Sequence, residues 1–213
     1  MELSNKKINF LGDSITEGAC ASDKSHCFVS VFGQKTGAVC RNYGIGGTRI
    51  ARQQMPSECP QWDLDYCKRA TEMDKDADII VVFGGTNDYG HGDAELGTPL
   101  DRTPDTFYGA LHTLYRTLIE EYPLADIVVI TPLHRENENS PRGDGKKPLS
   151  EYVKIIREVA ESYSLPILDL FANGKIYPDI PVLKEKYTAD GLHPNDRGYE
   201  YIANRLISFL NTL

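Results

Sequence analysis

The fold class predicted by this sequence is α/β: a three-layer α/β/α sandwich around about five parallel strands. Residues 79–83, Ile-Ile-Val-Val-Phe, and residues 127–130, Ile-Val-Val-Ile, are continuously apolar and rich in β-branched side chains. Strands buried on both faces of a parallel sheet have that pattern. Short apolar runs also alternate with stripes of helical period along the chain. The stretches without any period, residues 20–27, 89–103 and 133–147, come after strand-like runs. They therefore fall at the carboxyl ends of strands, where open α/β sheets bind ligands, and loops of that length in a compact domain are usually functional or mobile.

Residues 8–11 form the first expected strand, ending at the turn Gly12-Asp13-Ser14. Phe28, Val31 and Phe32 share one face of a helix that Gly37 can stop, and residues 38–40 form a second strand. The run at 79–83 is the third strand. Thr103 and Pro104 read as N-cap and first-turn proline of a helix that buries Phe107, Leu111, Leu114 and Leu118. The fourth strand covers 127–131, and Tyr152, Ile155, Ile156, Val159 and Tyr163 line the next helix. Residues 166–170 form the fifth strand. Asn195 can cap a last helix that buries Tyr199, Ile202, Ala203, Leu206 and Leu210. No linker, repeat or low-complexity segment interrupts the series, so one domain over 1–213 is expected.

Composition narrows the function classes. With 25% charged residues in 213 positions, the chain can bury a full hydrophobic core. A formal net charge of -8, without a basic stripe, argues against a nucleic-acid partner. The pair Lys146-Lys147 near Arg142 reads as a solvated loop. Met-Glu-Leu-Ser-Asn-Lys-Lys precedes the first strand without an apolar stretch, so neither a signal peptide nor stable membrane insertion is expected. The five cysteines (Cys20, Cys27, Cys40, Cys59, Cys67) make an odd count without C-x-x-C spacing. Reduced, mostly buried thiols in a cytoplasmic protein are the reading that fits. Nothing in the pattern sets an oligomeric state.

Four short segments carry the chemistry: Gly12-Asp13-Ser14-Ile15-Thr16, Asn42-Tyr43-Gly44-Ile45-Gly46-Gly47-Thr48, Gly84-Gly85-Thr86-Asn87-Asp88 and Asp190-Gly191-Leu192-His193-Pro194. A serine at the end of a buried strand can attack as an alkoxide if a base, an orienter of that base and oxyanion donors surround it. The spacing of Asp190 and His193 lets a carboxylate reach Nδ1 while Nε2 faces Ser14. Asn87 offers an uncharged NH₂ donor, and glycines near Gly47 let backbone N–H groups approach a ligand. Each segment alone also reads as an ordinary turn, and Asp13 reads better as an acceptor fixing its turn than as a base. The glycine spacing fits neither G-x-G-x-x-G nor a P-loop, so no nucleotide cofactor is implied.

Taken together, in this order, the segments resemble the signature blocks of the SGNH hydrolases, the GDSL esterase/lipase family, across nearly the whole chain. The resemblance implies a flavodoxin-like fold and a serine esterase forming an acyl-enzyme. Ser14 would be nucleophile, His193 base and Asp190 its orienter, with the Ser14 N–H, Gly47 N–H and Asn87 side chain as oxyanion donors and no cofactor. Gly47 is chosen over Gly46 because the family places its donor at the second position of the glycine pair counted from Asn42. Ile15-Thr16 stands where the eponymous motif has Leu, and Thr48-Arg49 where many members have Asp-Thr. The second difference leaves open the bonding beneath the glycine, and Arg49 could instead reach the substrate.

Two rivals predict different features. A metallophosphoesterase would recruit Asp13, Asn87 and His193 as ligands, but the chain lacks a D-x-H pair and clustered histidines. A non-catalytic binding module predicts a broken triad, whereas every part is present. Cys20 and Cys27 lie shortly after Ser14 and can line the cleft, but as nucleophiles they are far weaker candidates than Ser14. No long apolar lid is visible, which disfavours a true lipase relative to short-chain or carbohydrate O-acetyl esters; a lysophospholipase-type acylhydrolase is the alternative. Asp13, Arg49, Tyr89, His91, His134 and Arg135 are the expected substrate contacts, and Arg102 falls in the same cleft-forming loops.

Overall fold

The computed structural model describes residues 2–140 and 147–213. Strand β1 (Lys7–Gly12) lies between β2 (Val39–Gly44) and β3 (Ile79–Phe83), followed by β4 (Asp126–Ile130) and β5 (Ile167–Leu168). The order is β2-β1-β3-β4-β5, and all pairings are parallel. The helices are α1 (Ser14–Glu17), α2 (Phe28–Thr36), α3 (Tyr66–Arg69), α4 (Thr86–His91), α5 (Phe107–Glu121), α6 (Leu149–Ser162), α7 (Leu170–Asn173), α8 (Pro181–Tyr187) and α9 (Asp196–Leu210).

Alternate residues of each strand face opposite sides of a sheet, and here both sides are covered. Ile8, Phe10, Val81, Phe83, Val128 and Ile130 pack with Phe28 and Phe32 of α2 and with Tyr199, Ile202 and Leu206 of α9. Leu11, Ile80, Val82, Ile127 and Val129 face Leu111, Leu114 and Leu118 of α5 and Tyr152, Ile156 and Val159 of α6. Full burial of each such aliphatic or Phe side chain contributes about 1.5–3 kcal/mol.

The chain leaves β1 toward β2 on one side and returns to β3 on the other. That reversal opens a crevice beyond the carboxyl ends of the central strands. Gly12, Gly44 and Phe83 end these strands side by side. The signature segments therefore meet at one edge of the sheet although they lie far apart in sequence.

Several boundaries differ from expectation. β2 runs to Gly44 and its residues are half or fully exposed, so Asn42, Tyr43 and Gly44 belong to the strand. An edge strand can carry polar residues, which hid its length. Helix α5 starts at Phe107 with Thr106 as its cap, the Thr106 hydroxyl accepting from the Gly109 N–H at 3.2 Å; Thr103 and Pro104 lie before it. Tyr163 follows the last turn of α6. β5 is shorter than 166–170 because Asp169 already caps α7. Gly37, at φ 73°, stops α2, and Asn195 caps α9 as expected. Of the cysteines, Cys27 is buried, Cys20 is exposed and the others are half-buried, none in a disulfide. Arg142 and Lys146 lie outside the described residues.

Candidate active site

Ser14 is the first residue of α1, directly behind β1. Buried Asp13 caps this helix, its Oδ1 accepting from the Ile15 N–H at 2.9 Å. Ser14 Oγ lies 3.0 Å from His193 Nε2, and His193 Nδ1 lies 2.7 Å from Asp190 Oδ2. The other Asp190 oxygen accepts the backbone N–H groups of Leu192 (2.9 Å) and His193 (2.7 Å). One carboxylate thus shapes its own loop and holds the imidazole by the opposite oxygen. Gly191, at φ 83°, allows this reversal, and Ala189 closes the loop by donating to the His193 carbonyl at 2.9 Å.

The glycine segment lies against the same serine. A side chain on Gly44 would overlap the Glu17 backbone, so the end of β2 and α1 approach as closely as backbones allow. Glu17 Oε2 accepts the Gly46 N–H at 2.8 Å, fastening the loop to the serine helix. Gly47 has φ 77°, with the Trp62 indole where a side chain would go. The Asn87 side chain donates to the Thr48 carbonyl at 3.0 Å. That bond leaves the amide one further donor.

Beneath this lies a buried polar bed. Arg69 donates to the carbonyls of Tyr43 (2.7 Å) and Gly12 (3.0 Å) and to the Thr48 hydroxyl (2.9 Å), joining β1, β2 and the glycine loop. Thr48, which stands where many members of the resembled family have Asp, is thus held from below. Asp88 accepts the N–H groups of Ile50 (3.0 Å) and Ala51 (2.9 Å). Burial pushes the Asp13 and Asp88 carboxyls up to about 6. Burial also acts upward on Asp190, but the hydrogen bonds from His193 and Leu192 outweigh it and hold that carboxyl below the ordinary value.

The structure brings Ser14, His193 and Asp190 into one relay, with Gly46 next to Ser14 and Asn87 tied to the same glycine loop through the Thr48 carbonyl. It treats the expected substrate contacts differently. Asp13 is buried as a helix cap. Arg49 is 2% exposed, donating to Ser57 (2.6 Å), Asp63 (2.8 Å), the Trp62 carbonyl (3.2 Å) and His91 Nδ1 (3.0 Å). Tyr89 is fully buried, with its hydroxyl donating to the Asn137 and Ser140 carbonyls. Arg135 is buried against Thr86, which accepts through its carbonyl and its hydroxyl at 3.1 Å each. Arg49, Tyr89 and Arg135 fold inward because each meets several internal acceptors, and Asp13 because it caps α1; buried in this way, all four are unsuited to contact a ligand. His134 pairs with Glu138 at 2.7 Å and stacks on Phe171. Arg102 is exposed and donates to the Pro99 and Asp101 carbonyls. His91 lies against Trp62, its ring 4.7 Å from the indole that packs on Gly47.

Glu17, Trp62, Arg69 and the scaffolding role of Asp88 escape a reading by motif, because long-range contacts define them. Cys20 lies beside Asp190 and His193. Burial and the Asp190 charge push its thiol up, which disfavours the thiolate a cysteine nucleophile needs.

A family model described as GDSL-like lipase/acylhydrolase matches residues 10–201. The chain belongs to this family. It is 29% identical over 147 residues to a GDSL lipase of Mycobacterium tuberculosis, covering 69% of this chain and 55% of that protein. It is also 30% identical over 138 residues to a multidomain esterase of Ruminococcus flavefaciens, covering 64% of this chain and 15% of that one. The chain therefore spans about half of the first relative and a small part of the second. A crystal structure of a Lactobacillus plantarum protein matches at TM-score 0.85 and 30% identity over 98% of each chain. A two-domain esterase active on acetylated mannans shares the fold at TM-score 0.66 and 21% identity, over 97% of this chain and 48% of that one.

Proposed function

We propose that this family member is a carboxylic ester hydrolase that works through a covalent acyl-enzyme on Ser14. The observation that carries the reading is the unbroken relay from Ser14 Oγ through His193 to Asp190, at 3.0 and 2.7 Å. Ser14 Oγ attacks the ester carbonyl carbon while His193 Nε2 takes its proton. The developing oxyanion is received by the Ser14 N–H, which as a first-turn group needs no helical acceptor, with the Gly47 N–H and the second Asn87 amide hydrogen. His193 returns the proton to the departing alcohol. Water, activated by the same imidazole, then releases the acid.

Short acyl groups, including O-acetyl groups on carbohydrates, are the proposed substrates. The groups next to Ser14 on the glycine loop are small or polar, Gly46 and the Glu17 carboxylate that holds it, and the neighbouring Gly47 carries one flat apolar surface, the Trp62 indole. An indole face suits a sugar ring better than an extended alkyl chain. In the described residues no helix is long and apolar enough to cross a membrane. The unpaired cysteines support a reducing, cytoplasmic setting.

A series of p-nitrophenyl esters from acetate to palmitate, run beside acetylated sugars, tests the reading. kcat/KM should be highest for acetyl or butyryl and fall with length. Each methylene held in a real acyl groove is worth about 0.8 kcal/mol, so a steady rise through octanoate would favour a lysophospholipase-type activity.

A further inference from the structure

The Cys20 thiol, the Asp190 carboxylate and a His193 ring nitrogen each present one ligand atom, all within 4.8 Å of one another. The three donors come from two separate loops. Cys20 sits in the left-handed region at φ 65°, uncommon for a residue with a side chain. Its loop is fixed on both sides: Ala19 donates its N–H to the Ser14 carbonyl at 2.9 Å, Tyr199 donates its hydroxyl to the Ala19 carbonyl at 2.6 Å, and Ala21 donates to Gly18 at 3.2 Å. Cys20 and Asp190 are exposed and His193 is half-buried, so an ion can reach the group from solvent.

Thiolate, imidazole and carboxylate together are a donor set for Zn²⁺, with bonds of about 2.0–2.3 Å and a fourth position open to water. Ligand atoms around such an ion lie about 3–4 Å apart. The Cys20 side chain need only close inward, and the 2.7 Å contact between His193 and Asp190 need only widen slightly. Calcium and magnesium prefer oxygen ligands and gain nothing from the sulfur.

We infer that Cys20, Asp190 and His193 form a three-ligand site for Zn²⁺ or a similar thiophilic divalent cation, and that its occupation switches off the serine beside it. The inhibitory half of this inference rests on the proposed hydrolase function; the binding half does not. Binding releases the thiol proton to solvent and leaves sulfur, nitrogen and oxygen on the ion. A metal on Nδ1 puts the remaining imidazole proton on Nε2, which then donates to Ser14 instead of accepting from it. A metal on Nε2 displaces Ser14 directly. In both cases the proton acceptor is lost.

Two measurements on the full chain separate binding from inhibition. Co²⁺ added to the wild type should give a thiolate-to-cobalt absorption band that is absent in Cys20→Ser. Zn²⁺ should inhibit p-nitrophenyl acetate hydrolysis reversibly, with a chelator restoring the rate. Cys20→Ser should retain the metal-free rate and need about tenfold more Zn²⁺ or beyond for half-inhibition. No cobalt–thiolate band in the wild type, or equal Zn²⁺ sensitivity of wild type and variant, overturns the site. A band without any ester hydrolysis would uphold the metal site and instead refute the proposed function.

Discussion

Aspartate is used in two opposite ways within one site. Asp190 has a half-exposed side chain, yet it accepts from two backbone N–H groups and pairs with His193, and its carboxyl is held low. Asp13 and Asp88 are buried, also accept backbone N–H groups, and are pushed up to about 6. The balance of desolvation against hydrogen bonding sets the difference. At the rim, hydrogen bonds win and a fixed negative charge stands behind an imidazole. In the bed, desolvation wins and the carboxylates serve as scaffold at a cost in stability.

The rim should carry the largest effects on rate. His193→Gln removes the base, and Asp190→Asn should lower kcat by up to about 10⁴ by disturbing the tautomer. Thermal unfolding should hold close to wild type for His193→Gln; a near-wild-type rate in that variant would separate the relay from function. Asn87→Ala should come next, lowering kcat by roughly 10²–10³ with little change in KM, as expected for losing one oxyanion donor. A loss confined to KM would make Asn87 a ground-state contact instead.

The bed should show itself in stability. A folded-state value near 6 against 3.8 unfolded means the native state holds these protons more tightly. Their contribution is therefore greatest below about pH 4, falls as pH rises toward about 6, and is flat above that. Asp13→Asn keeps an acceptor for the Ile15 N–H and removes the charge. Relative to wild type it should gain stability between pH 4 and pH 7, by up to about 3 kcal/mol, because each tenfold difference in proton affinity is worth about 1.4 kcal/mol. Denaturant unfolding at the two pH values measures this, and an unchanged difference would argue against the buried-charge account. The smallest effect is expected at Trp62, where Trp62→Ala uncovers Gly47. Its loss in kcat/KM on p-nitrophenyl acetate should be smaller than that of Asn87→Ala, and larger on an acetylated sugar than on the simple ester. Equal losses would remove the indole from substrate recognition.

The sequence made the rim legible and left the bed hidden. Ser14, Asn87, Asp190 and His193 lie in short segments whose composition is itself the signal, and Asp190 and His193 are close enough in sequence to be read as a pair. The central strands β3 and β4 were equally clear because burial on both faces leaves only apolar residues. β2 is less legible in the sequence because an edge strand tolerates Arg41 and Asn42. Arg49, Tyr89 and Arg135 read as cleft residues because polar residues on loops after strands usually face a ligand; here Asp63, the Asn137 carbonyl and Thr86 draw them inward. Such partners are 14 to 49 residues away along the chain, and no local pattern announces them. The same holds for Arg69, whose bonds to Gly12 and Thr48 became visible only with the fold.

The most direct test of the account is active-site labelling. A fluorophosphonate probe reacts with an activated serine hydroxyl, and peptide mapping finds where it attaches. The wild type should be labelled at Ser14 and nowhere else, His193→Gln should label far more slowly, and Ser14→Ala should neither label nor hydrolyse p-nitrophenyl acetate while unfolding like the wild type. Attachment at another residue, or turnover above a few per cent of wild type in Ser14→Ala, would contradict the account.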